Sequence, residues 1–295
     1  MAASKKPFFL EYWEAMAILP HNSQLLDASG QPLSSILAIN RLDEAEKEQI
    51  YSRLLPQRLR DVLSLTGGSL CNAAGERLVT IIAPEGLPLM RIEARSKPGG
   101  GVVVFFLELS DTQYHQMELS FCIVRDPAAP RYAVDVDEQG KNNWFASHGR
   151  NIPEELRAMR AGLFPNQTHH GLQLFITFFP LLERFVDALG LQMIVAEPLT
   201  YDNAIRYEKY GFDYLRGKRL MMEIDREFQP GGRYCARMDG STPFRMPGRE
   251  RTVSGRSWAI HDGIMDTPWD EVQIYRMIGA PADINTFPGR EEDKR

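Results

Sequence analysis

The feature that most constrains the fold is a series of short runs rich in β-branched and apolar residues between residues 76 and 138. The runs read ERLVTIIAP, LPLMRIEARS, GVVVFFLELS, HQMELSFCIV and RYAVDVDE, and the segments PEG, KPGGG, DTQ and DPAAP separate them. Val, Ile and aromatic residues favour strands, whereas Gly, Pro and Asp favour turns. Because the separating segments are too short for a crossover helix, consecutive strands must run antiparallel. The sequence therefore predicts an antiparallel meander.

Helical patterns flank the meander on both sides. The clearest lies at 43–65, where apolar residues recur at helical spacing and Pro56 predicts a kink or a split. After the meander, a short helix is predicted at 153–162 with Asn151 as its N-cap. A long helix follows at 171–190. Its first half also suits a strand, and we prefer the helix because the apolar period persists through both halves.

The chain then alternates between strand and helix. A strand is predicted at 191–199, a short helix follows it, and a second strand is predicted at 212–224. One further helix is predicted at 268–279. This order of elements predicts an α+β fold with a mixed sheet, in which the strand at 191–199 adds parallel to the last strand of the meander.

The same changes of pattern divide the chain into three regions. Residues 1–75 form a helical N-terminal extension, and residues 76–225 form the core, which carries an insertion at 139–170. Residues 226–295 form a C-terminal extension. Because that extension is rich in Gly, Pro and Arg, we expect a largely irregular tail that wraps the core.

The composition excludes several classes of protein. With 295 residues and 43% hydrophobic content, the chain is of the ordinary globular type. A net charge of −5 and a pI near 5.8 argue against nucleic-acid binding as the main function. Three scattered cysteines without a C-x-x-C pair argue against a structural zinc site, so we expect no metal. We also expect no membrane span and a cytoplasmic location, because no apolar stretch approaches about 18 uncharged residues.

The most specific motif is AIRYEKYGF at 204–212. It resembles the late helix of the GNAT superfamily of N-acyltransferases, where a tyrosine is followed by Glu, Lys, any residue, Gly and Phe. The resemblance covers roughly residues 100–224. It implies a mixed, mostly antiparallel central sheet flanked by helices, with a pantetheine arm held in a split between two parallel strands. It also implies that Tyr207 is the acid that protonates the departing thiolate.

The resemblance further implies a phosphate-binding loop that opens the long helix. Helix N-termini suit a pyrophosphate because they offer free N–H groups and the positive end of the helix dipole. The corresponding residues are Asn166, Gln167, Thr168, His169, His170 and Gly171. The two histidines add positive charge when protonated, but His169 stands where the family has an inner glycine. Asn203, four residues before Tyr207, is a further candidate for binding the donor. The expected co-substrate is an acyl-CoA or an acyl carrier protein thioester.

Acyl transfer to an amine also needs a base. Asp135, Asp137 and Glu138 end the last predicted strand of the meander, and Asp135 and Asp137 share one face of it. Asp137 and Glu138 are our main candidates for the base, and His148 and Glu197 are weaker ones. All of these residues are also compatible with a purely structural role: the acids as a solvent-facing edge, Tyr207 as a packing tyrosine, and the 166–171 loop as a polar cap.

The sequence therefore predicts an N-acyltransferase that moves an acyl group from its thioester donor to a small amine. Direct attack is expected, since no G-x-S-x-G or comparable nucleophile signature is present. Two alternatives remain open. One is a catalytically degenerate ligand-binding or interaction module on the same fold, and the other is a self-associating structural protein. The acceptor, the acyl length and the oligomeric state, including a homodimer, also remain open.

Overall fold

The computed structural model describes residues 24–144 and 148–288. The first 23 residues of the predicted N-terminal extension lie outside this range. The helices are α1 (Ile36–Ile39), α2 (Glu44–Tyr51), α3 (Gln57–Val62), α4 (Ile152–Arg160), α5 (Phe175–Ala188), α6 (Tyr201–Glu208), α7 (Lys218–Phe228), α8 (Arg233–Ala236) and α9 (Val253–His261). The strands are β1 (Val79–Ile82), β2 (Leu89–Lys97), β3 (Gly100–Asp111), β4 (Met117–Val124), β5 (Met193–Ala196), β6 (Asp213–Arg216) and β7 (Gln273–Met277).

The predicted α+β class is confirmed. Seven strands form a mixed sheet in the order β1–β2–β3–β4–β5–β7–β6, with helices flanking it. The strand after the long helix, β5, adjoins β4 (Met117–Val124) and not the strand predicted at 131–138, beside which it was expected to add. Within β5 the chain divides into two compact units. The first comprises Met1–Pro127 and Gly171–Ile194, and the second comprises Ala128–His170 and Val195–Arg295.

The meander of the first unit has four antiparallel strands. Alternate residues of β2 and β3 are buried, which is the period-two pattern of a sheet with one face in the core. Between β3 and β4 the register shifts, because Glu108 pairs with Phe121 and the next residue, Leu109, pairs with Leu119. Ser120 is therefore an extra, bulged residue. A bulge of this kind bends the strand and strengthens its local twist.

The helices of the first unit confirm the predicted break at Pro56. Helix α2 begins after Asp43, whose carboxylate accepts the backbone N–H of Glu46 at 2.9 Å. It continues into a 3-10 turn that ends at Leu54, and α3 starts directly after Pro56. Asp111 at the end of β3 accepts the N–H groups of Ile36 and Leu37 at 2.9 Å each, which fixes the start of α1.

The fifth predicted meander strand, at 131–138, is wrong. This segment is a loop whose one bridge joins Val136 to Asn142. Asp137 closes a tight turn here, because its Oδ1 accepts the N–H groups of Gln139 and Lys141 at 3.0 and 2.8 Å. Local hydrogen bonds from an Asp side chain compete with ladder pairing, which is why the apparent β pattern does not form a strand.

Two further expectations about the second unit are wrong. The strand predicted at 212–224 ends after Arg216, because Gly217 adopts a left-handed conformation (φ +87°) and α7 starts immediately afterwards. The helix predicted at 268–279 is the strand β7, which pairs antiparallel with β6. Ile274 and Arg276 are both buried and lie two residues apart, so the burial period is that of a strand.

The C-terminal region is also more regular than expected, since it contains α8, α9 and β7. A hydrophobic cluster of the second unit joins this region to the insertion at 139–170. It includes Ala158 and Leu163 from the insertion and Phe244 and Trp258 from the C-terminal region. The Trp258 ring stacks on Phe244 at 5.3 Å, and its indole N–H donates to the Leu163 carbonyl at 3.0 Å. The C-terminal region is therefore part of a folded core.

Candidate functional site

The motif helix α6 contains one tyrosine that differs from its neighbours. Tyr201 and Tyr210 are buried, and burial raises the pKa of each phenol to about 12. Tyr207 is half-buried, and its ring meets the edge of Phe212 at a centroid distance of 5.0 Å. Asn203 is half-buried on the same helix, four residues earlier, and so shares a face with Tyr207. Among Tyr201, Tyr207 and Tyr210, Tyr207 is the one that is half-buried.

Glu208 of the motif has a structural role. Its buried carboxylate accepts the Tyr214 hydroxyl at 2.6 Å and the Thr286 N–H at 3.1 Å, and it also accepts the Thr286 hydroxyl. Burial, followed by the charge of Glu208, raises the pKa of Tyr214 above its usual range. A buried carboxylate needs several donors of this kind to offset its lost hydration. Glu208 thus anchors β6 and the C-terminal segment to α6.

Gly211 of the motif is also explained by packing. Its φ is +75°, and its carbonyl accepts the Ala282 N–H at 2.9 Å. A Cβ at this position would overlap Pro281 Cβ and the Arg276 guanidinium. The buried Arg276 donates in turn to the Tyr210 carbonyl. The C-terminal segment therefore requires a glycine here, independently of any ligand.

A second buried polar group stands beside the motif and was not found from the sequence. Asp202 is buried, and it accepts the Ser257 hydroxyl at 2.9 Å. Burial raises the pKa of this carboxyl, although Arg206 and the hydroxyl groups around it act in the opposite direction. In the sequence, an Asp in the first turn of a helix indicates only a favourable dipole interaction. No pattern in the chain connects it to Ser257, 55 residues away.

Arg256 is another buried charge that the sequence does not reveal. Its guanidinium donates to the Asp225 carboxylate at 2.7 Å and to the Glu250 carbonyl at 2.7 Å. It also lies over the ring of Phe287 at 4.3 Å. An arginine with this many partners stabilises the packing of α9 against the C-terminal segment.

Residues 166–170 of the predicted phosphate loop form a tight turn of the second unit, and Gly171 belongs to the first. Asn166 has a φ of +64°, and the Gln167 side chain accepts the Phe164 N–H at 3.1 Å. Thr168 and His169 are buried and hydrogen-bonded to one another at 3.0 Å. His170 is half-buried, and Gly171 is exposed.

The long helix does not begin at this loop. Its expected start at Gly171 is wrong, since α5 starts at Phe175. Gln173 has a φ of +55°, a left-handed conformation that cannot be part of the helix and therefore separates the loop from α5. The free N–H groups of the first turn of α5 therefore do not belong to the 166–171 segment.

The base candidates occupy loop positions. Asp137 is held in its own turn, and Glu138 beside it is exposed. Asp135 forms a two-pronged ion pair with Arg131 at 2.7 and 2.8 Å. Glu197 is exposed and accepts the side-chain amide of Gln273, and His148 is exposed. None of these residues lies on a strand.

A charge cluster in the second unit was also missed. Glu155 is buried and binds Arg150, and the His261 ring nitrogen lies 3.3 Å from its Oε1. Burial acts to raise the pKa of the Glu155 carboxyl, but hydrogen bonds from His261 and Arg150 outweigh it and hold this pKa below its usual range. Asp262 binds Arg150 and Arg245 at 2.9 and 2.8 Å. Every carboxylate here has a cationic partner, as in a structural ion-pair network.

Within residues 24–144 and 148–288, no group of three or more His, Cys, Asp or Glu side chains is arranged to hold a metal ion. None of the helices in the same ranges combines the length and the apolar character needed to cross a bilayer. No protein-family model, curated protein or solved structure matches the chain. The acyltransferase resemblance therefore rests on the motif and on the order of elements.

Proposed function

We propose that the protein is an N-acyltransferase that moves an acyl group from a thioester donor to a small amine. The donor is coenzyme A or a carrier protein. The observation that carries the proposal is the sheet order, in which β5 adjoins β4 and both α4 and α5 lie between the two strands in the chain. The resemblance implies a pantetheine arm held in a split between two parallel strands. The motif helix α6 then follows β5, in the order that the resemblance requires.

The packing of the motif supports a special role for Tyr207. Glu208 and Gly211 are accounted for by the C-terminal segment, and Tyr201 and Tyr210 by burial. Tyr207 is half-buried, so its phenol is the one in this motif that suits contact with a substrate. A phenol is a suitable proton donor to a leaving thiolate because its proton is retained at neutral pH.

The proposed reaction is a direct displacement. The amine nitrogen attacks the thioester carbonyl carbon, a C–N bond forms, and the C–S bond breaks. The Tyr207 phenol gives its proton to the departing sulfur, and a base takes the proton from the new ammonium. The products are an amide and a free thiol, and solvent returns the proton to Tyr207. Of the two main base candidates, Glu138 is exposed, whereas Asp137 already accepts two backbone N–H groups.

Donor binding is tested first by thermal unfolding with acetyl-, hexanoyl- and palmitoyl-CoA. A ligand that binds only the native state adds about 2.7 kcal/mol of stability at a hundred times its Kd, so the melting temperature must rise. ADP is the control for binding through the nucleotide alone. No shift with any thioester at millimolar concentration contradicts the coenzyme A version of the proposal.

The role of Tyr207 is tested by Tyr207→Phe, with release of thiol from hexanoyl-CoA measured against a panel of primary amines. General acid catalysis contributes about 10²–10⁴ in rate, so we expect kcat to fall at least tenfold while the ligand-induced melting shift is kept. Tyr114→Phe is the matched control, because Tyr114 is 73% exposed on the turn between β3 and β4. An unchanged kcat in Tyr207→Phe excludes the acid role.

A specific observation favours the alternative of a degenerate binding module. His169 occupies the position of the inner glycine, and its side chain is buried and bonded to Thr168. A side chain at this position obstructs close approach of the backbone to a phosphate. If thioesters raise the melting temperature but no amine releases thiol, the module is the better description.

A further inference from the structure

The solvent-facing side of α7 is strongly cationic. Lys218, Arg219, Met222 and Arg226 are all exposed. At 100° per residue these four positions fall within an arc of about 100°, and the buried Ile224 lies on the opposite side of the helix. We call this arc, together with Leu215 and Arg216 at the end of β6, the α7 face.

The carboxylates of α7 neutralise only part of this face, because arginines from other elements also engage them. Glu223 binds Arg233 at 3.1 Å, and Glu227 binds Arg233 at 3.1 Å as well as Arg226 of the face at 3.0 Å. Asp225 binds the buried Arg256 at 2.7 Å. The acidic groups of the helix are therefore drawn into intramolecular ion pairs, and the arginines of the α7 face dominate its outward charge.

Two of these cations have no carboxylate partner in the part of the chain that the structure describes. The two are Arg216 and Arg219. The other two cations of the face are paired, since Lys218 binds Asp213 and Arg226 binds Glu227, each at 3.0 Å. Lys218 and Arg219 also stand in the first turn of α7, where the positive end of the helix dipole disfavours cations. This arrangement does not stabilise α7, so the helix dipole does not account for these two cations.

The centre of the face is apolar. Met222 is 61% exposed, and Leu215 is 51% exposed. Methionine adapts its shape to a partner and is frequent at binding surfaces. An apolar centre with a charged rim is the usual anatomy of a protein interface. Strand β6 is also the last strand of the sheet, and it is only four residues long.

The predicted phosphate loop at 166–171 favours a carrier-protein thioester over an acyl-CoA as the donor. Coenzyme A carries a pyrophosphate and a nucleotide, and the loop that would bind them has the buried His169 in place of a glycine. A carrier protein presents the same pantetheine arm on a serine phosphodiester, without the pyrophosphate or the nucleotide. The loss of the inner glycine therefore weakens binding of coenzyme A more than binding of a carrier-protein thioester.

We infer that the α7 face docks an acidic acyl carrier protein, which delivers the acyl group to the reaction proposed above. The inference rests on that proposed function and names its donor. The face is continuous in the chain with Tyr207, because β6 spans only about 13 Å between the motif turn and α7. Acidic carrier proteins complement the charge of Arg216 and Arg219 and can bury Met222.

Two other occupants fit the face less well. A second copy of the chain, related by two-fold symmetry, would bring Arg216 and Arg219 against themselves, and like charges oppose that contact. An anionic membrane surface would match the charge. However, Met222 and Leu215 offer little apolar area for insertion.

The test measures binding of the full-length protein to a fluorescently labelled, hexanoyl-loaded acyl carrier protein. The carrier protein is the small, free-standing type that serves separate fatty-acid synthesis enzymes. We expect R216E/R219E to raise the Kd at least about tenfold and R216Q/R219Q to raise it less, because reversal adds repulsion to the lost attraction. The control is R53E/R58E, which has the same charge change at two exposed arginines of the first unit. We expect its Kd to stay within about twofold of wild type.

Folding of the variants is checked by melting temperature. R219E should not lower it, because a glutamate in the first turn of α7 improves the interaction with the helix dipole. A tenfold loss of binding at an unchanged or higher melting temperature therefore supports docking and excludes a loss through unfolding.

The remaining outcomes separate the two proposals. If hexanoyl-CoA raises the melting temperature but wild type does not bind the carrier protein, the docking inference fails and the acyltransferase proposal stands. If neither donor binds, the acyltransferase proposal fails.

Equal carrier affinity of wild type and R216E/R219E overturns the docking surface. Two further results also overturn it: arginine-dependent binding to vesicles of 70% phosphatidylcholine and 30% phosphatidylglycerol without carrier binding, and arginine-dependent self-association in sedimentation.

Discussion

Replacement of Gly211 by alanine tests whether the motif glycine is required by the C-terminal segment. A methyl group at Gly211 would overlap Pro281 Cβ and the Arg276 guanidinium, and it would lie 3.1 Å from Pro281 Cα. Gly211 also has a φ of +75°, which alanine adopts only with strain. Gly211→Ala should therefore destabilise the second unit through both its contacts and its backbone.

The magnitude follows from three contributions. Left-handed backbone costs a non-glycine residue about 1–2 kcal/mol. Replacing glycine also restricts the unfolded chain, which returns about 0.4–1 kcal/mol. Overpacking of a filled site costs about 1–3 kcal/mol, because Pro281 is held by the hydrogen bond between Ala282 and Gly211. We therefore expect a loss of about 1–5 kcal/mol in the free energy of unfolding, centred near 3 kcal/mol.

Equilibrium unfolding in urea, followed by tryptophan fluorescence, measures this loss. Gly263→Ala is the matched control, because Gly263 has the same φ of +75° and a Cβ added there would meet no atom within 4 Å. We expect the control to lose only about 1 kcal/mol, which is the backbone contribution alone. Equal losses in the two variants would refute the close packing of the C-terminal segment on the motif.

Two other predictions follow from titratable groups. The pKa of Glu155 is lowered in the folded state, so its ionised form contributes stability above the unfolded value near 4.5, and this contribution is lost as pH falls through the lowered folded pKa. Glu155→Gln should therefore flatten the decline in urea midpoint between pH 5.5 and 3, and an unchanged slope would contradict the ion pairing with His261. Burial raises the pKa of the Cys122 thiol to about 12. All three cysteines are half-buried, so the difference in pKa is what distinguishes them. At pH 8, iodoacetamide should label Cys122 at least about tenfold more slowly than Cys71 or Cys235, as measured by mass spectrometry; equal rates would contradict the raised pKa of this thiol.

Local chemistry explains what could be predicted from the sequence. Pro56 lacks an N–H and separates α2 from α3, and Asn151 caps α4 by accepting the Glu154 N–H at 3.4 Å. Four meander strands appear where β-branched runs alternate with turns. These features depend on a few adjacent residues, so the sequence determines them. Tyr207 was distinguished from Tyr201 and Tyr210 by the family resemblance, because local spacing does not predict which of the three phenols is buried.

Tertiary structure decided the rest. The segment at 131–138 has a β pattern, but its backbone bonds distant partners outside a ladder: the Tyr132 N–H donates to the Thr168 carbonyl and the Ala133 N–H to the Glu154 carboxylate, both at 2.8 Å. The segment at 273–277 is a strand because β6 offers it an edge and Tyr210 offers Arg276 a carbonyl. Glu208 is an anchor because Thr286, 78 residues further along the chain, folds back to it. The sequence by itself determined the order and type of most elements through local propensity. Only long-range packing decided that Glu208 of the motif is buried and hydrogen-bonded to the C-terminal segment, whereas Tyr207 is half-buried.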